Sequence, residues 1–238
     1  MAAGRREPSV DDMKPVAIIT GASRGLGLAL ATGLSEAGWR VVVDARTESD
    51  LASAAEWIGG DVVTVPGDVR DPAHHEALLG AAGEVDLLVN NAGILGPSPQ
   101  PSLASYPLAA LREVYEVNVL APLALTQRVL PVLRARGGAL VNVTSDAAVE
   151  PYEGWGGYGS AKAAVEQASA VLAAEEPAVR VWWVDPGDLR TRMHQEAFPG
   201  EDISDRPLPE TVVPAFVHLV TSRPPSGRVR LSELRVPA

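Results

Sequence analysis

The segment Val16–Gly27, VAIITGASRGLG, constrains the fold of this chain more than any other part of it. Its four apolar residues, Val16–Ile19, predict a fully buried strand. The chain then turns through Thr20–Gly27 and continues into Leu28–Leu34, an apolar run with helical character. A strand, a tight glycine turn and a helix N-terminus together form a corner that binds anions, because backbone N–H groups point outward there and the helix dipole favours negative charge.

Three glycines shape this turn. Gly21 permits the sharp change of direction, and Gly25 and Gly27 allow a pyrophosphate and the neighbouring helix to approach the backbone. The spacing G-x-x-x-G-x-G differs from the G-x-G-x-x-G of the common dinucleotide fingerprint. A glycine turn alone also fits an ordinary connection between a strand and a helix, so the interpretation depends on the rest of the chain.

Composition narrows the class of protein. The chain has 238 residues, of which 46% are hydrophobic and 21% charged, enough for one large α/β domain with a substantial core. The net charge of −10 argues against a nucleic-acid partner. We expect no membrane span, no signal peptide and a loose tail over residues 1–13, because no apolar run has the required length. Without cysteine there is no disulfide or thiol chemistry, which fits a cytoplasmic enzyme, and no metal-ligand spacing is present.

Apolar runs alternate with helical segments along the chain. We expect strands at 16–19, 39–43, 61–65, 86–89, 139–143, 179–184 and 228–231. We expect helices at 28–34, 49–58, 71–82, 105–136, 158–174 and 211–221, the longest one broken or bent near Pro122 and Pro131, and a mobile flap at 190–210. This alternation predicts right-handed βαβ units in a single α/β domain over residues 14–238, a three-layer, doubly wound parallel sheet.

Ligands bind outside the carboxyl ends of the strands in such a sheet. The chain places its distinctive polar and glycine residues directly after the predicted strands, at Thr20-Gly21, Arg46, Asp68, Asn91, Ser145 and Gly187. We therefore expect a single ligand cleft at that edge.

Tyr158 and Lys162 are four residues apart at the start of a predicted helix, so they share one face. A nearby ammonium lowers the pKa of a phenol from its usual value of about 10, which would let Tyr158 exchange a proton near neutral pH. Ser145 can hydrogen-bond the same reacting oxygen and help to stabilise the charge that develops on a reduced carbonyl. Neither side chain supplies a hydride, so a cofactor must. Taken alone, Tyr158 and Lys162 are better explained as a surface pair on an ordinary helix, and a turn residue at a strand end also explains Ser145. Their combination with the glycine turn favours the catalytic interpretation.

Six motifs occur in a fixed order: TGASRGLG at 20–27, NNAG at 90–93, VNV around Asn118, NVTS ending at Ser145, YGSAK at 158–162 and DPGDLRT at 185–191. With them the sequence resembles the short-chain dehydrogenase/reductase family, in its single-domain branch, from about residue 16 to residue 191. Ser145 and Tyr158 are thirteen residues apart, which is the spacing of that family. The resemblance implies a Rossmann fold that binds NAD(P) and an oxidoreductase, such as a ketoreductase.

The resemblance also implies a role for each matched residue. Tyr158 would be the general acid for carbonyl reduction and the base for alcohol oxidation, Lys162 would lower its pKa and hold the nicotinamide ribose, and Ser145 would orient the substrate oxygen. Asn118 would hold a water that links Lys162 to solvent. The cofactor would contact Gly21, Ser23, Arg24, Gly25, Leu26, Gly27, Ala45, Arg46, Asp68, Val69, Asn91, Ala92, Gly93, Tyr158, Lys162, Pro186, Gly187 and Thr191.

The end of the second strand indicates which cofactor is used. Enzymes that prefer NAD usually place an acid there to bind the ribose 2′-OH. Here Ala45 takes that position and Arg46 follows it. Together with Arg24 in the glycine turn, Arg46 would suit a 2′-phosphate, so we expect NADP(H) in preference to NAD(H). A slip of one residue in the alignment would instead make Asp44 the acid that binds the ribose.

The substrate is expected to be a small molecule that carries a carbonyl or an alcohol. Candidates for the pocket wall are largely apolar, although packing explains each of them equally well: Ile94, Leu95, Asp146, Ala147, Tyr152, Trp155, Leu189, Met193, His194 and Phe198. We expect a homodimer or homotetramer that packs through the helices at 105–136 and 158–174, the second of which is rich in alanine. The C-terminal sequence GRVRLSELRVPA departs from the usual family ending, which puts the C-terminal subunit contacts in doubt.

Two alternatives stay open. One is a different reaction on the same scaffold, such as epimerisation or dehydration of a nucleotide sugar, which the short chain and the glycine spacing disfavour. The other is a sensor or scaffold that binds NADP(H) without catalysis. A sensor has no need of proton-transfer groups, so the presence of Ser145, Tyr158, Lys162 and Asn118 disfavours it.

Overall fold

A computed structural model describes residues 14–236, and the predicted tail at 1–13 lies outside the described residues. Seven parallel strands form one sheet in the order β3-β2-β1-β4-β5-β6-β7. The strands are β1 Val16–Ile19, β2 Arg40–Ala45, β3 Val62–Pro66, β4 Leu87–Asn90, β5 Ala139–Val143, β6 Arg180–Asp185 and β7 Gly227–Arg230. The helices are α1 Gly25–Glu36, α2 Glu48–Ile58, α3 Pro72–Ala82, α4 Leu108–Tyr115, α5 Ala121–Arg136, α6 Gly156–Glu175, α7 Arg192–Ala197 and α8 Val213–Ser222.

The core consists of two apolar clusters, one on each face of the sheet. Along β1, Ala17 and Ile19 belong to one cluster, and Val16 and Ile18 belong to the other. Successive side chains of a strand point to opposite faces, so a strand that is apolar throughout must be covered on both sides. The predicted three-layer, doubly wound parallel sheet in a single domain is confirmed.

β1 lies at the centre of the sheet and pairs with both β2 and β4. The chain builds outward from β1 to β3 at one edge, and then crosses back to β4 on the other side of β1. The turn after β1 and the segment after β4 therefore flank the point where the strand order reverses, which is where sheets of this kind bind ligands.

Four strands extend one or two residues beyond the predicted ends, and in β3 the added residue is Pro66. β2 includes Asp44 and Ala45, β4 ends at Asn90 and β6 ends at Asp185. The three polar side chains are buried, and each has a hydrogen-bond partner from another element. The predictions ended with the apolar runs because the partners of a buried polar side chain cannot be read from local sequence.

The helical region predicted at 105–136 is divided into α4 and α5 by a π-helical turn, Glu116–Leu120. This break lies just before Pro122, which occupies the first turn of α5, where a missing N–H costs no hydrogen bond. Because α5 continues through Pro131, a break at Pro131 is wrong. The π-helical turn contains Asn118, which is buried and not solvated.

The segment predicted as a flap, 190–210, contains the short helix α7. Thr191 caps this helix, because its Oγ1 accepts a hydrogen bond of 3.1 Å from the backbone N–H of His194. The mobility of the segment stays a prediction. Among residues 14–236, every helix is too short or too polar to cross a lipid bilayer.

Candidate active site

A cleft of about 910 Å³ opens at the carboxyl edge of the sheet. Its walls include every residue that the sequence predicts for cofactor contact, from Gly21 to Thr191, and also Ser145. Of the predicted catalytic residues, only Asn118 lies outside the lining. The fold therefore brings residues from six strand ends into one site.

The glycine corner depends on a very close approach of α1 to β1 and β4. A Cβ atom at Gly27 would lie 2.4 Å from the carbonyl oxygen of Gly21 and 2.5 Å from Nδ2 of Asn91, distances that no side chain tolerates. Arg24, the N-cap residue of α1, makes no side-chain hydrogen bond to the helix. The N-terminus of α1 thus lines the cleft as an uncapped set of N–H donors, which suits an anion.

Hydrogen bonds fix the segment after β4 against the glycine turn. Thr20 Oγ1 accepts from the backbone N–H groups of Asn91 and Ala92, both at 3.0 Å. Asn91 Nδ2 donates in return to the carbonyl oxygens of Thr20 at 2.9 Å and Gly21 at 3.2 Å. These bonds hold the two walls of the cleft at a set separation.

The Asp44 carboxylate forms hydrogen bonds within the fold. Its Oδ1 accepts the backbone N–H of Gly21 at 2.6 Å, and its Oδ2 lies 2.9 Å from Nε2 of His74. Asp44 and His74 are both buried. Both oxygens of the Asp44 carboxylate therefore have a hydrogen-bond partner inside the fold. Ala45 is the last residue of β2, which is the position that the expected alignment gives it. Sequence reasoning missed His74, since no spacing links α3 to the end of β2.

Positive charge gathers at the end of the cleft beyond β2 and β3. Arg24, Arg46 and Arg70 line the cleft there, together with Asp68. The Arg70 guanidinium, hydrogen-bonded to Asp68 at 2.6 Å, lowers the pKa of the Asp68 carboxyl to about 2, and Arg46 adds a smaller electrostatic contribution. Within residues 14–236, Arg24 and Arg46 form no ion pair, which leaves both guanidinium groups open to an anion.

The opposite end of the cleft holds Tyr158 and Lys162. Both are buried in the first turns of α6. Lys162 Nζ donates to the Val143 carbonyl at 2.8 Å and lies 5.5 Å from the centre of the Tyr158 ring. A Cβ atom at Gly159 would lie 2.6 Å from the carbonyl oxygen of Ala147, so this glycine lets α6 pack against the turn that follows Ser145.

Burial is the main influence on both proton-transfer groups. It raises the pKa of Tyr158 well above its usual value, and the negative charges of Asp146 and Asp185 raise it further. Burial also lowers the pKa of Lys162 to about 8. The direction at Tyr158 is opposite to the expected depression, because the sequence argument considered the ammonium charge and not the loss of solvation.

Ser145 is bound to the two residues that follow it. Its Oγ donates to Oδ1 of Asp146 at 2.9 Å and accepts from the backbone N–H of Ala147 at 3.2 Å. Oδ2 of Asp146 accepts the hydroxyl of Tyr152 at 2.9 Å. The serine hydroxyl, the carboxylate and the phenol thus form one short chain at the cleft.

Asn118 clamps the main chain of Ile94. Its Oδ1 accepts from the Ile94 N–H and its Nδ2 donates to the Ile94 carbonyl, both at 2.8 Å. The amide therefore holds the loop after β4, which carries Gly93, Ile94 and Leu95 into the cleft wall. The predicted water link to Lys162 stays a prediction.

One guanidinium from β7 joins three elements beneath the site. Arg228 Nε donates to Glu166 at 3.0 Å, and its Nη2 donates to the Ser145 carbonyl at 3.2 Å and to Asp185 at 3.1 Å. It thereby links α6, the loop after β5 and the end of β6. Sequence reasoning missed this network, and the one available signal is that Glu166 lies one helical turn beyond Lys162, a spacing that places both residues on the same face of α6.

The predicted substrate wall is divided between the cleft and the layer behind it. The Trp155 ring contacts two others: its centre lies 5.9 Å from that of Tyr158 and 6.0 Å from that of Phe198. Seven of the candidates line the cleft: Ile94, Leu95, Asp146, Trp155, Leu189, Met193 and His194. Ala147, Tyr152 and Phe198 lie outside the lining.

The burial of Lys162 predicts how stability depends on pH. Its pKa is about 8 in the folded protein and 10.5 in an ordinary lysine, so between these values the unfolded chain binds one more proton. Stability rises with pH wherever the unfolded state binds more protons. Below pH 8 the buried ammonium of Lys162 therefore destabilises the fold by its full amount. Between pH 8 and 10.5 the free energy of unfolding should rise by about 1.4 kcal/mol per pH unit as this destabilisation is lost.

Urea denaturation of the wild type and of Lys162→Met across this range measures the effect, which the variant should lack. Lys14, the only other lysine in the chain, is exposed, and Lys14→Met should follow the wild type. Parallel curves for the wild type and Lys162→Met would contradict the assignment.

Known proteins share this architecture. A family model described as short chain dehydrogenase matches residues 15–202. Sepiapterin reductase from Mus musculus is 37% identical over 201 residues, which cover 76% of this chain and 77% of that protein. Benzil reductase ((S)-benzoin forming) from Saccharomyces cerevisiae is 35% identical over 197 residues, 77% of this chain and 75% of that protein.

A solved structure gives the same result. A protein described as a short chain dehydrogenase from Shigella flexneri, complexed with NADP, superimposes with a TM-score of 0.83 and 27% identity, over 92% of this chain and 97% of that one. The family match covers most of the chain, and it agrees with the strand order and with the position of the cleft. The chain belongs to the short-chain dehydrogenase family.

Proposed function

We propose that this oxidoreductase, which acts on CH–OH or C=O groups as its relatives do, uses NADP(H) and Tyr158 to interconvert a carbonyl and an alcohol on a small organic substrate. One observation carries the proposal: Ser145, Tyr158 and Lys162 line the same cleft as the glycine corner. Proton-transfer groups and an anion-binding corner are then within reach of one bound dinucleotide. The names of the relatives, a sepiapterin reductase and a benzil reductase, support carbonyl reduction.

The cleft fits a nicotinamide dinucleotide phosphate. The uncapped N-terminus of α1 would hold the pyrophosphate, and Arg24 and Arg46 would hold the 2′-phosphate. Asp44 supports this choice, because its two oxygens are already bonded to Gly21 and His74. The Shigella flexneri neighbour was solved with NADP, which supports it too. The chemistry that such a cofactor supplies when bound is hydride transfer.

Side chains of the cleft would supply the proton that the substrate oxygen takes up on reduction. The raised pKa of Tyr158 keeps its hydroxyl protonated at neutral pH, which is the form that a general acid needs for carbonyl reduction. Lys162, with a pKa of about 8, is close to neutrality in its titration and can return a proton to the phenol. Ser145 would hold the substrate oxygen beside Tyr158. Arg228 would keep Ser145 in place through its carbonyl oxygen.

Replacement of the phenol tests this mechanism. Tyr158→Phe should slow the reduction of benzil by NADPH at least 100-fold, since general acid catalysis contributes about 10² to 10⁴. NADPH affinity, measured by fluorescence titration, should change little. Tyr115→Phe, at a tyrosine outside the cleft lining, is the matched control and should keep its activity. Normal turnover by the Tyr158→Phe variant would rule the mechanism out, and a wild type that binds NADPH but reduces no ketone would favour the sensor.

Replacement of Arg46 tests the cofactor preference. A charge-assisted hydrogen bond contributes about 1.5–3 kcal/mol, so Arg46→Gln should weaken NADPH binding by about 10-fold or more. NADH lacks the 2′-phosphate, and its affinity should stay the same. Arg128→Gln removes an exposed arginine that pairs with Glu76 outside the cleft, and it serves as the control. Tighter binding of NADH than of NADPH by the wild type would contradict the proposal.

We also propose a homodimer or homotetramer, located in the cytoplasm. Leu120 at the junction of α4 and α5 and Val171 on α6 are large apolar side chains that are 50% and 43% exposed. They lie on the two helical regions expected to pack between subunits. Light scattering at micromolar concentration should give at least twice the 24.9 kDa chain mass, and a monomer mass would refute this assembly.

A further inference from the structure

A single carboxylate stands beside the serine of the proposed catalytic site. Asp146 lines the cleft, and its Oδ1 accepts from Ser145 Oγ at 2.9 Å and from the Ala147 N–H at 2.8 Å. Its Oδ2 accepts from the Tyr152 hydroxyl at 2.9 Å. All of these donors are neutral. In the part of the chain from 14 to 236, no Lys, Arg or His nitrogen lies within 4 Å of this carboxylate.

The surroundings of Asp146 favour a cation. A partly buried carboxylate is costly to hold without a positive partner. Asp188 and Glu196 line the same end of the cleft, and Arg192, the cation of α7, is paired with Glu196 at 2.8 Å. The field of Asp146 also reaches the reaction centre, because it contributes to the raised pKa of Tyr158. Lys162 at this end donates to the Val143 carbonyl and not to Asp146, and the lining there carries more acidic than basic side chains, in contrast to the arginine-lined cofactor end.

The hydrogen bonds of Ser145 lead to the same conclusion. A serine hydroxyl has one proton, and here Asp146 accepts it. A substrate carbonyl that needs this proton must compete with a carboxylate for it. A positively charged donor on the substrate would bind Asp146 and so release the Ser145 proton to the carbonyl oxygen. Because Oγ and Oδ1 are only 2.9 Å apart, this pair suits substrate groups on adjacent carbons.

Part of the wall at this end is apolar. Leu95, Trp155 and Met193 line the cleft and pack on the Tyr158 side of it. An aromatic or aliphatic body would be buried against them. This wall favours an amino alcohol with an apolar body over a small, wholly polar one.

We propose that Asp146 is a specificity-determining residue and that the substrate pair is an amino ketone and its vicinal amino alcohol, with an ammonium group next to the reacting carbon and an apolar body. The inference rests on the proposed function, since it uses the same cleft and the same Ser145. Asp146 binds the ammonium group, Ser145 binds the reacting oxygen, and Trp155 packs against the apolar body.

The test compares two alcohols that differ only in charge. Phenylethanolamine carries an ammonium group where its isostere, α-ethylbenzyl alcohol, carries a methyl group. Calorimetric titration of the protein saturated with NADPH, which cannot oxidise either alcohol, should at pH 7 show at least tenfold tighter binding of phenylethanolamine, or about 1.4 kcal/mol. Asp146→Asn should abolish this preference, and Asp146→Leu should reverse it. Glu153→Gln, at an exposed acid of the same loop outside the cleft lining, should preserve it.

Melting temperature and NADPH affinity show that each variant is folded. Equal affinity of the wild type for the two alcohols overturns the proposal, as does a preference that survives in Asp146→Asn or a failure of both compounds to bind. Benzil reduction by the same preparation separates this proposal from the proposed function. If benzil is reduced and the ammonium group confers no advantage, the function stands and the role of Asp146 does not.

Discussion

The cofactor end of this protein depends on one steric constraint, the absence of a side chain at Gly27. Only there can the first turn of α1 approach the carbonyl oxygen of Gly21 and the side chain of Asn91 so closely. That approach brings the N-terminus of α1 to the switch point between β1 and β4. Thr20 and Asn91 then bond across the gap, and the two walls become a single rigid corner. The proposed pyrophosphate site at the N-terminus of α1 depends on this contact.

The charges of the chain fall into two sets with different physical roles. The Asp44 carboxylate is hydrogen-bonded to His74, and Arg228 is paired with Glu166 and Asp185, all inside the fold, where an unpartnered charge would be costly. These pairs hold the glycine turn and the loop after β5. Arg46 and Asp146 form no ion pair within residues 14–236, and they line opposite ends of the cleft. The charged groups inside the fold are partnered by other residues of the chain, whereas the charges of Arg46 and Asp146 are available to ligands.

Periodicity and turn chemistry predicted most of the architecture. The seven strands, the doubly wound order and the cleft at the carboxyl edge all follow from apolar runs that alternate with helical segments. The errors are local and share one cause. The extension of β2 through Asp44, the end of β6 at Asp185 and the direction of the Tyr158 pKa each depend on burial and on partners that are distant in sequence. A local pattern contains no information about either.

The sequence by itself determined the fold class, the family and the set of residues that meet at the cleft, because glycine spacing, strand periodicity and the interval between Ser145 and Tyr158 are properties of the chain order. Only the tertiary structure decided how those residues are bonded. In the structure the Asp44 carboxylate is hydrogen-bonded to Gly21 and His74, and the Ser145 hydroxyl donates to Asp146. The Arg228 guanidinium donates to three separate elements. Hydrogen bonds and desolvation act between atoms that are close in space, and the folded chain alone brings those atoms together.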